Sequence, residues 1–156
     1  MTDRSSATDS AVTDSAKIVA FTQDGCRVIV MDTISLASAE DAGQVIITGS
    51  HGGMSAGEYA RQARVACVIC NDAGFGKNNA GVAGLCDLDR DGIAGVAVGH
   101  LTARLGDGND VWSNGVVSFV NETAKAAGFA VGWAIQDQVR RYLGGRSESG
   151  LPGEGR

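Results

Sequence analysis

Three continuous apolar runs lie along the middle of the chain, and each is followed at once by a polar loop that contains glycine. The runs are 44–49, 66–70 and 93–99. Apolar runs of this length, without alternation, are typical of strands buried on both faces, as in a parallel sheet. Between the first two runs, residues 53–64 carry polar side chains at helical spacing, which predicts an amphipathic helix. The pattern therefore predicts strand–helix–strand units.

The segments after the second and third runs continue this alternation. Residues 78–89 are predicted to form a second helix, whose small side chains pack closely on the sheet. Residues 115–127 are predicted to form a third helix. Residues 129–143 are predicted as a strand or turn that merges into a helix, which is exposed over 136–141.

The N-terminal part of the chain predicts a hairpin. Two runs rich in β-branched residues, 17–22 and 26–31, flank Gln23-Asp24-Gly25. The Asp-Gly pair supplies the positive φ angles of a tight turn. Residues 38–43 are then predicted as a short helical turn that ends at a glycine.

The combined pattern predicts a single α/β domain with three layers, over residues 17–144. Its sheet is expected to be mainly parallel, with the N-terminal hairpin added as antiparallel strands. Residues 1–16 and 145–156 are rich in small and polar residues without periodicity. Both segments are therefore predicted to be disordered tails.

Composition narrows the class of protein. With 156 residues and 44% hydrophobic residues, the chain suits one soluble domain. The net charge of -5 and the lack of a Lys/Arg cluster disfavour nucleic acid as a partner. No apolar run approaches the ~20 residues that span a bilayer, and no secretory signal is recognisable, so we expect a cytoplasmic protein that binds no membrane. The many small side chains leave a modest core, which favours a homo-oligomer.

Two of the four cysteines, Cys67 and Cys70, form a CxxC motif. Such a motif raises the question of a metal or redox site. Here it falls within a predicted strand, where residues three apart face opposite sides of the sheet. We therefore expect buried free thiols in a reducing compartment. A role for Cys70 as a nucleophile stays open, because it borders Asn71 and Asp72 at the strand end.

Several familiar ligand motifs are incomplete in this sequence. Residues 87–98 begin like an EF-hand calcium loop, but Val98 stands where the bidentate glutamate is required. The loop 71–79 lacks the P-loop pattern, because Asn78 replaces the magnesium-binding hydroxyl. A β-roll-like segment at 106–111 has no neighbouring repeat, and the two histidines lack the spacing of a zinc site. The sequence therefore predicts no metal site and no organic cofactor.

Both histidines fall in the loops after the three apolar runs. In open α/β sheets, ligands bind beyond the carboxyl ends of the strands. The loops 50–53, 71–79 and 99–110 all begin at such ends, so we expect them to share one edge of the sheet. This agreement between topology and residue type predicts where the functional site lies.

Three residues of these loops are candidates for proton transfer. His51 can act as an acid or a base near neutral pH, with His100 or Asp72 as its partner. The alternatives are structural, with His51 capping the following helix and Asp72 capping a turn. The predicted catalytic residues are His51, Asp72 and His100.

The same loops offer groups that can hold a negatively charged substrate. The guanidinium of Arg104 matches a carboxylate bidentately, although a pair with Asp107 that ties down the loop is an equal alternative. Glycine-rich backbone at a helix N-terminus can also face an anion. The predicted substrate-binding residues are Ser50, Gly52, Gly53, Asn71, Gly74, Lys77, Asn78, Arg104 and Asp107.

These residues predict a small cytoplasmic enzyme that does acid/base chemistry on a small polar, carboxylate-bearing metabolite. The reaction class would be hydrolysis or isomerisation/elimination, without an organic cofactor. The alternative is a non-catalytic ligand-binding or accessory subunit of an oligomeric complex. A third hypothesis, a nucleotide-binding domain, rests on fold analogy alone, because the sequence carries no phosphate fingerprint.

Overall fold

The computed structural model describes residues 17–149, and the predicted tail 1–16 lies outside the described residues, as do 150–156. Six strands of the described part form one mixed sheet, and their order across the sheet follows their order in the chain. The strands are β1 (Lys17–Gln23), β2 (Cys26–Met31), β3 (Val45–His51), β4 (Cys67–Asn71), β5 (Ala94–Val98) and β6 (Val117–Val120). Strands β2 to β5 are parallel, and β1 and β6 pair antiparallel at the two edges.

Five α-helices accompany the sheet within 17–149. They are α1 (Met54–Ala63), α2 (Ala83–Asp87), α3 (Gly108–Asn114), α4 (Glu122–Ala126) and α5 (Ile135–Ser149). This confirms the predicted α/β class and the N-terminal antiparallel hairpin. In the described range, no helix is long and apolar enough to cross a membrane.

The turn of the predicted hairpin is confirmed. Asp24 and Gly25 both adopt positive φ angles, of 52° and 85°, and join the paired residues Gln23 and Cys26. Two successive left-handed residues match the right-handed twist of the flanking strands. The Asp-Gly pair therefore sets the register of β1 against β2.

The central strands are buried on both faces, as their apolar runs predict. Ile46, Val68 and Ala97 belong to one core cluster, and their neighbours in sequence, Ile47 and Ile69, belong to the other. Successive residues of a strand point to opposite faces. Each face of the sheet therefore carries its own apolar core.

The order of the strands decides which helices cover which face. The connections between successive parallel strands contribute Ile34, Ala60 and Leu85 to one cluster, so they lie on the same face. Helices α3 and α5 contribute Val111 and Val139 to the other cluster. To reach that second face, the chain leaves β5 and returns across the sheet, so that α3 packs against β2 and β3.

The prediction of a helix over 115–127 is wrong. Residues Val117–Val120 form the edge strand β6, and only Glu122–Ala126 are helical. The run is rich in β-branched and aromatic side chains, which suit a pleated edge. Asn121 is only 3% exposed, because its side chain caps α4 and bonds to the backbone at Gly95.

The predicted helix over 78–89 is also interrupted. Lys77–Asn79 and Leu88–Asp91 form 3-10 turns on either side of α2, and Asn78 and Asn79 have positive φ. Gly84 of this segment packs against the N-terminal turn of α1. The N–H of Gly84 donates to the carbonyl of Gly52 at 2.9 Å, and a Cβ at Gly84 would overlap the carbonyl of Gly53.

The last helix differs from its prediction in two ways. Gln138 and Val139 are buried, although the sequence indicated an exposed segment there. Helix α5 also continues to Ser149, so it includes the first residues of the segment predicted as a C-terminal tail. Its apolar stripe, with Ile135 and Leu143, packs on the core beside α3.

Both cysteines of the CxxC motif are free and fully buried, on opposite faces of β4. Burial raises the pKa of both thiols, that of Cys70 to about 12. A protonated thiol is a much poorer nucleophile than a thiolate. The role of Cys70 as a nucleophile at neutral pH is therefore disfavoured.

Thiol titration of the folded protein is expected to separate the cysteines into two classes. A water-soluble disulfide reagent should react with Cys86, which is exposed, and more slowly with the half-buried Cys26. Cys67 and Cys70 should react only after denaturant is added, because their sulfur atoms have no solvent access. Rapid reaction of Cys70 in the native protein would contradict this assignment.

Candidate functional site

The three polar loops meet at the carboxyl edge of the parallel strands. The segment 99–107, which we call the crossing segment, runs along this edge from β5 towards β2. Ala103 accepts a hydrogen bond from the side chain of Asn71 at 2.8 Å, and the N–H of Gly106 donates to the carbonyl of Gly49 at 2.7 Å. Because the parallel strands follow one another in sequence order, this returning segment, rather than a reversal of strand order, shapes the edge.

Asp72 and His100 form a contact at this edge. Asp72 is 3% exposed, and its Oδ1 lies 3.3 Å from Nδ1 of His100. The same oxygen accepts the N–H of Gly74 at 2.7 Å and the N–H of His100 at 3.1 Å. Ser118 donates its hydroxyl to Oδ2 at 2.7 Å. We call these two residues the Asp72–His100 pair.

The geometry of the Asp72–His100 pair favours one tautomer of the imidazole. A carboxylate beside Nδ1 favours the proton on that nitrogen, which leaves the lone pair of the neutral ring on Nε2. The side chain of His100 is 48% exposed, which leaves the ring open to a ligand. His100 can therefore accept a proton at Nε2.

The charge of Asp72 is set by two opposing effects. Burial alone would raise the pKa of this carboxyl group. The hydrogen bonds from Ser118, Gly74 and His100 stabilise the carboxylate and outweigh that effect, so the pKa lies below its ordinary value. Asp72 is therefore a buried anion at neutral pH.

Substitution of Asp72 with asparagine is expected to lower the free energy of unfolding in a pH-dependent way. The folded-state pKa is depressed, so the stabilisation is complete above the unfolded value of about 4 and is lost as pH falls through the folded pKa. Urea denaturation should give a difference of about 2 kcal/mol at neutral pH, because charged hydrogen bonds are lost. The difference should shrink in acid, and a difference that stayed constant with pH would contradict the ionised state of Asp72.

His51 occupies a different position, at the N-terminus of α1. Its Nδ1 accepts the N–H of Gly53 at 3.0 Å, so it caps the helix, which was one of the two interpretations of this residue. In the neutral ring the proton must then lie on Nε2. His51 therefore offers a donor where His100 offers an acceptor.

A pocket of about 380 Å³ lies beside His51, at the ends of β2 and β3. We call it the His51 pocket. Its lining includes Asp32, Ser50, His51, Ser55, Tyr59 and Leu105. Neither Asp72 nor His100 lines it, so the predicted catalytic residues fall into two neighbouring groups, one at the end of β3 and one at the ends of β4 and β5.

Two of the four residues expected to bind substrate from the loop after β4 are already used within the protein. The buried side chain of Asn71 accepts the N–H of Ala73 and donates to Ala103. The N–H of Gly74 donates to Asp72. Lys77 and Asn78 are exposed on a 3-10 turn, outside the His51 pocket.

Arg104 and Asp107 form the pair that was the alternative to a carboxylate site. Nη1 of Arg104 lies 3.3 Å from Oδ2 of Asp107, and the arginine side chain is 76% exposed. The other oxygen of Asp107 caps α3 by accepting the N–H of Asp110. The single contact leaves the remaining donors of Arg104 available to solvent or to a ligand.

The loop between the two histidines has an unusual backbone. Ala73, Phe75, Asn78 and Asn79 all have φ angles between 50° and 69°. Non-glycine residues rarely adopt this conformation, and clusters of such residues are typical of functional sites. The loop brings Gly74 against His100, since a Cβ there would lie 3.5 Å from Cε1 of the ring.

Sequence reasoning missed Ser118, Ser55 and Tyr59. Ser118 lies on β6, in the segment predicted as a helix, so its contact with Asp72 was not expected. Ser55 and Tyr59 lie four residues apart on α1, a spacing that places both on one helix face. That spacing, which continues from His51, was visible in the sequence.

Comparison of the chain with protein-family models, with curated proteins and with solved structures found no match. Among residues 17–149, no group of three or more His, Cys, Asp or Glu side chains is placed to hold a metal ion. The side chains at the carboxyl edge are therefore the basis on which function is inferred.

Proposed function

We propose that the chain is an enzyme that does acid/base chemistry on a small polar, carboxylate-bearing metabolite, with His100 as its proton-transfer group. The observation that carries this proposal is the contact of 3.3 Å between Nδ1 of His100 and the buried carboxylate of Asp72. A carboxylate in this position orients the ring and stabilises the imidazolium that forms. The reaction class is hydrolysis or isomerisation/elimination.

His100 and Arg104 act directly on the substrate in this proposal. His100 accepts a proton at Nε2 from a water molecule or from a substrate C–H group, and the carboxylate of Asp72 next to Nδ1 stabilises the imidazolium. Arg104, largely exposed and held at one nitrogen, binds the substrate carboxylate through its other donors. His51 belongs to the neighbouring group, with its Nδ1 occupied by the N–H of Gly53, and takes no part in this proton transfer.

We further propose that the enzyme acts in the cytoplasm as a homo-oligomer. The free cysteines support a reducing compartment. Large apolar side chains on the surface, including Val19, Val131 and Trp133, support an interface between copies of the chain. Light scattering of the purified protein tests the oligomer directly.

A turnover screen tests the proposed enzyme. The purified chain is incubated in D₂O with pools of small hydroxy, keto and amino carboxylates, and one-dimensional proton NMR follows new product signals and loss of exchangeable C–H signals. The proposal predicts turnover or proton exchange of at least one carboxylate by the wild type, and its loss in Asp72→Asn. Carboxylates that bind without any chemical change would contradict an enzymatic role.

One observation favours the alternative function, a non-catalytic ligand-binding subunit. The His51 pocket is separate from the Asp72–His100 pair, so a ligand can occupy it without touching the proposed base. Under this alternative, a ligand binds equally to the wild type and to His100→Ala, and neither protein changes it chemically. The turnover screen therefore distinguishes the two functions.

A further inference from the structure

Three hydrogen-bond donors line one wall of the His51 pocket. His51, Ser55 and Tyr59 follow one another at intervals of four residues, from the end of β3 along one face of α1. Nδ1 of His51 is occupied by Gly53, which leaves its Nε2–H free. The hydroxyl groups of Ser55 and Tyr59 make no hydrogen bond to any residue in 17–149. The wall therefore presents a row of donors without protein acceptors.

The other lining residues supply a hydrogen-bond acceptor, and none of them is positively charged. Oδ1 of Asp32 accepts the N–H of Gly108 at 3.0 Å, and its second carboxylate oxygen is left to accept from a ligand. No lysine or arginine lines the pocket, so Asp32 is its one formally charged lining residue. A bound anion would be repelled by this carboxylate. A small cation would be opposed by the Nε2–H of His51, which can only donate.

Apolar side chains form the rest of the pocket lining. Ile34, Ala56 and Leu105 line it together with the ring of Tyr59. A hydroxyl group is a donor and an acceptor at once, so it can bond to Asp32 and to the donor row in the same orientation. The C–H faces of a sugar or polyol fit the apolar lining. The volume of about 380 Å³ lies in the range of small-ligand pockets.

We propose that the His51 pocket binds a neutral, hydroxyl-rich small molecule of the monosaccharide or polyol class. This inference goes beyond the proposed acid/base function and does not require His100. It also replaces the expectation that the segment 50–53 holds an anion, because the charge of Asp32 opposes one.

Ligand titration followed by NMR tests the inference. The probes are D-glucose, D-ribose and myo-inositol, with gluconate and inorganic phosphate as charged counterparts. Neutral probes should shift the imidazole signals of His51 in a saturable way and leave those of His100 in place. Tyr59→Phe and Ser55→Ala should each weaken binding about fivefold, the effect of one lost hydrogen bond. Asp32→Asn should weaken the neutral probes and admit the charged ones.

Two control variants match these substitutions elsewhere in the chain. Tyr142→Phe removes the other tyrosine hydroxyl, on α5, and Ser113→Ala removes an exposed serine on α3. Neither should change the affinity for a neutral probe. Shifts caused by phosphate and gluconate alone, or no saturable shift with any neutral probe, would overturn the inference. His100→Ala should still bind sugar. Binding by this variant would support the inference whether or not the acid/base proposal is correct.

Discussion

Replacing His100 with alanine is expected to lower the kcat of the turnover found in the metabolite screen by about 10²- to 10⁴-fold, the usual contribution of a positioned acid/base group. The reason is structural as well as chemical. Asp72 holds its carboxylate 3.3 Å from Nδ1 and so presents Nε2 as the proton acceptor. Asp72→Asn should cause a loss of similar size, because an amide cannot stabilise the imidazolium.

A surface substitution provides the control for this measurement. Lys125 is exposed on α4, away from the carboxyl edge, and Lys125→Ala should leave kcat and KM within about twofold of the wild type. If His100→Ala also retained wild-type turnover within a few-fold, His100 would not be the proton-transfer group. Circular dichroism of each variant shows that the fold is retained.

Replacing Gly49 with alanine is expected to lower the free energy of unfolding by about 3 kcal/mol or more, because it forces two backbone segments apart. A Cβ at Gly49 would overlap the backbone N of Asp107 and would lie 2.8 Å from Cα of Gly106. The same contact carries the hydrogen bond from the N–H of Gly106 to the carbonyl of Gly49. Urea denaturation measures the loss, and the affinity of the His51 pocket should fall with it.

Gly145 offers a matched substitution with the opposite expected sign. It lies in α5, and a Cβ there would meet no atom within 4 Å. Gly145→Ala should therefore stabilise the protein by about 0.5–1 kcal/mol through helix propensity. Equal stability of Gly49→Ala and the wild type would contradict the close packing of the crossing segment on β3.

The parts of the fold that the sequence predicted are those specified by local pattern. The strands β3, β4 and β5 and the Asp-Gly turn could be predicted without knowledge of tertiary contacts. By contrast, the segment 115–127 is compatible with a helix or a strand when it is considered alone. Pairing of Val120 with Val96 on β5 decides the outcome, and that contact joins residues far apart in the chain.

The sequence predicted which loops form the candidate site, but not which side chains contact one another there. Strand topology alone brings the loops of His51, Asp72 and His100 to one edge. Which side chains pair there depends on local backbone geometry. The N–H of Gly53 donates to Nδ1 of His51, whereas the tight turn at Gly74 places Asp72 beside His100. Ser118 reaches Asp72 from β6, so its role could not be found while that strand was interpreted as a helix.

The central claim is that Asp72 fixes His100 as a proton acceptor, and long-range ¹⁵N–¹H NMR of the two imidazole rings tests it most directly. The chain contains two histidines, so the spectrum of the neutral rings is simple, and a His51→Ala variant assigns it. We expect the proton of His100 on Nδ1 and that of His51 on Nε2, with the His100 preference lost in Asp72→Asn. A His100 ring protonated on Nε2 in the wild type, or unchanged by Asp72→Asn, would contradict the proposed role of the pair.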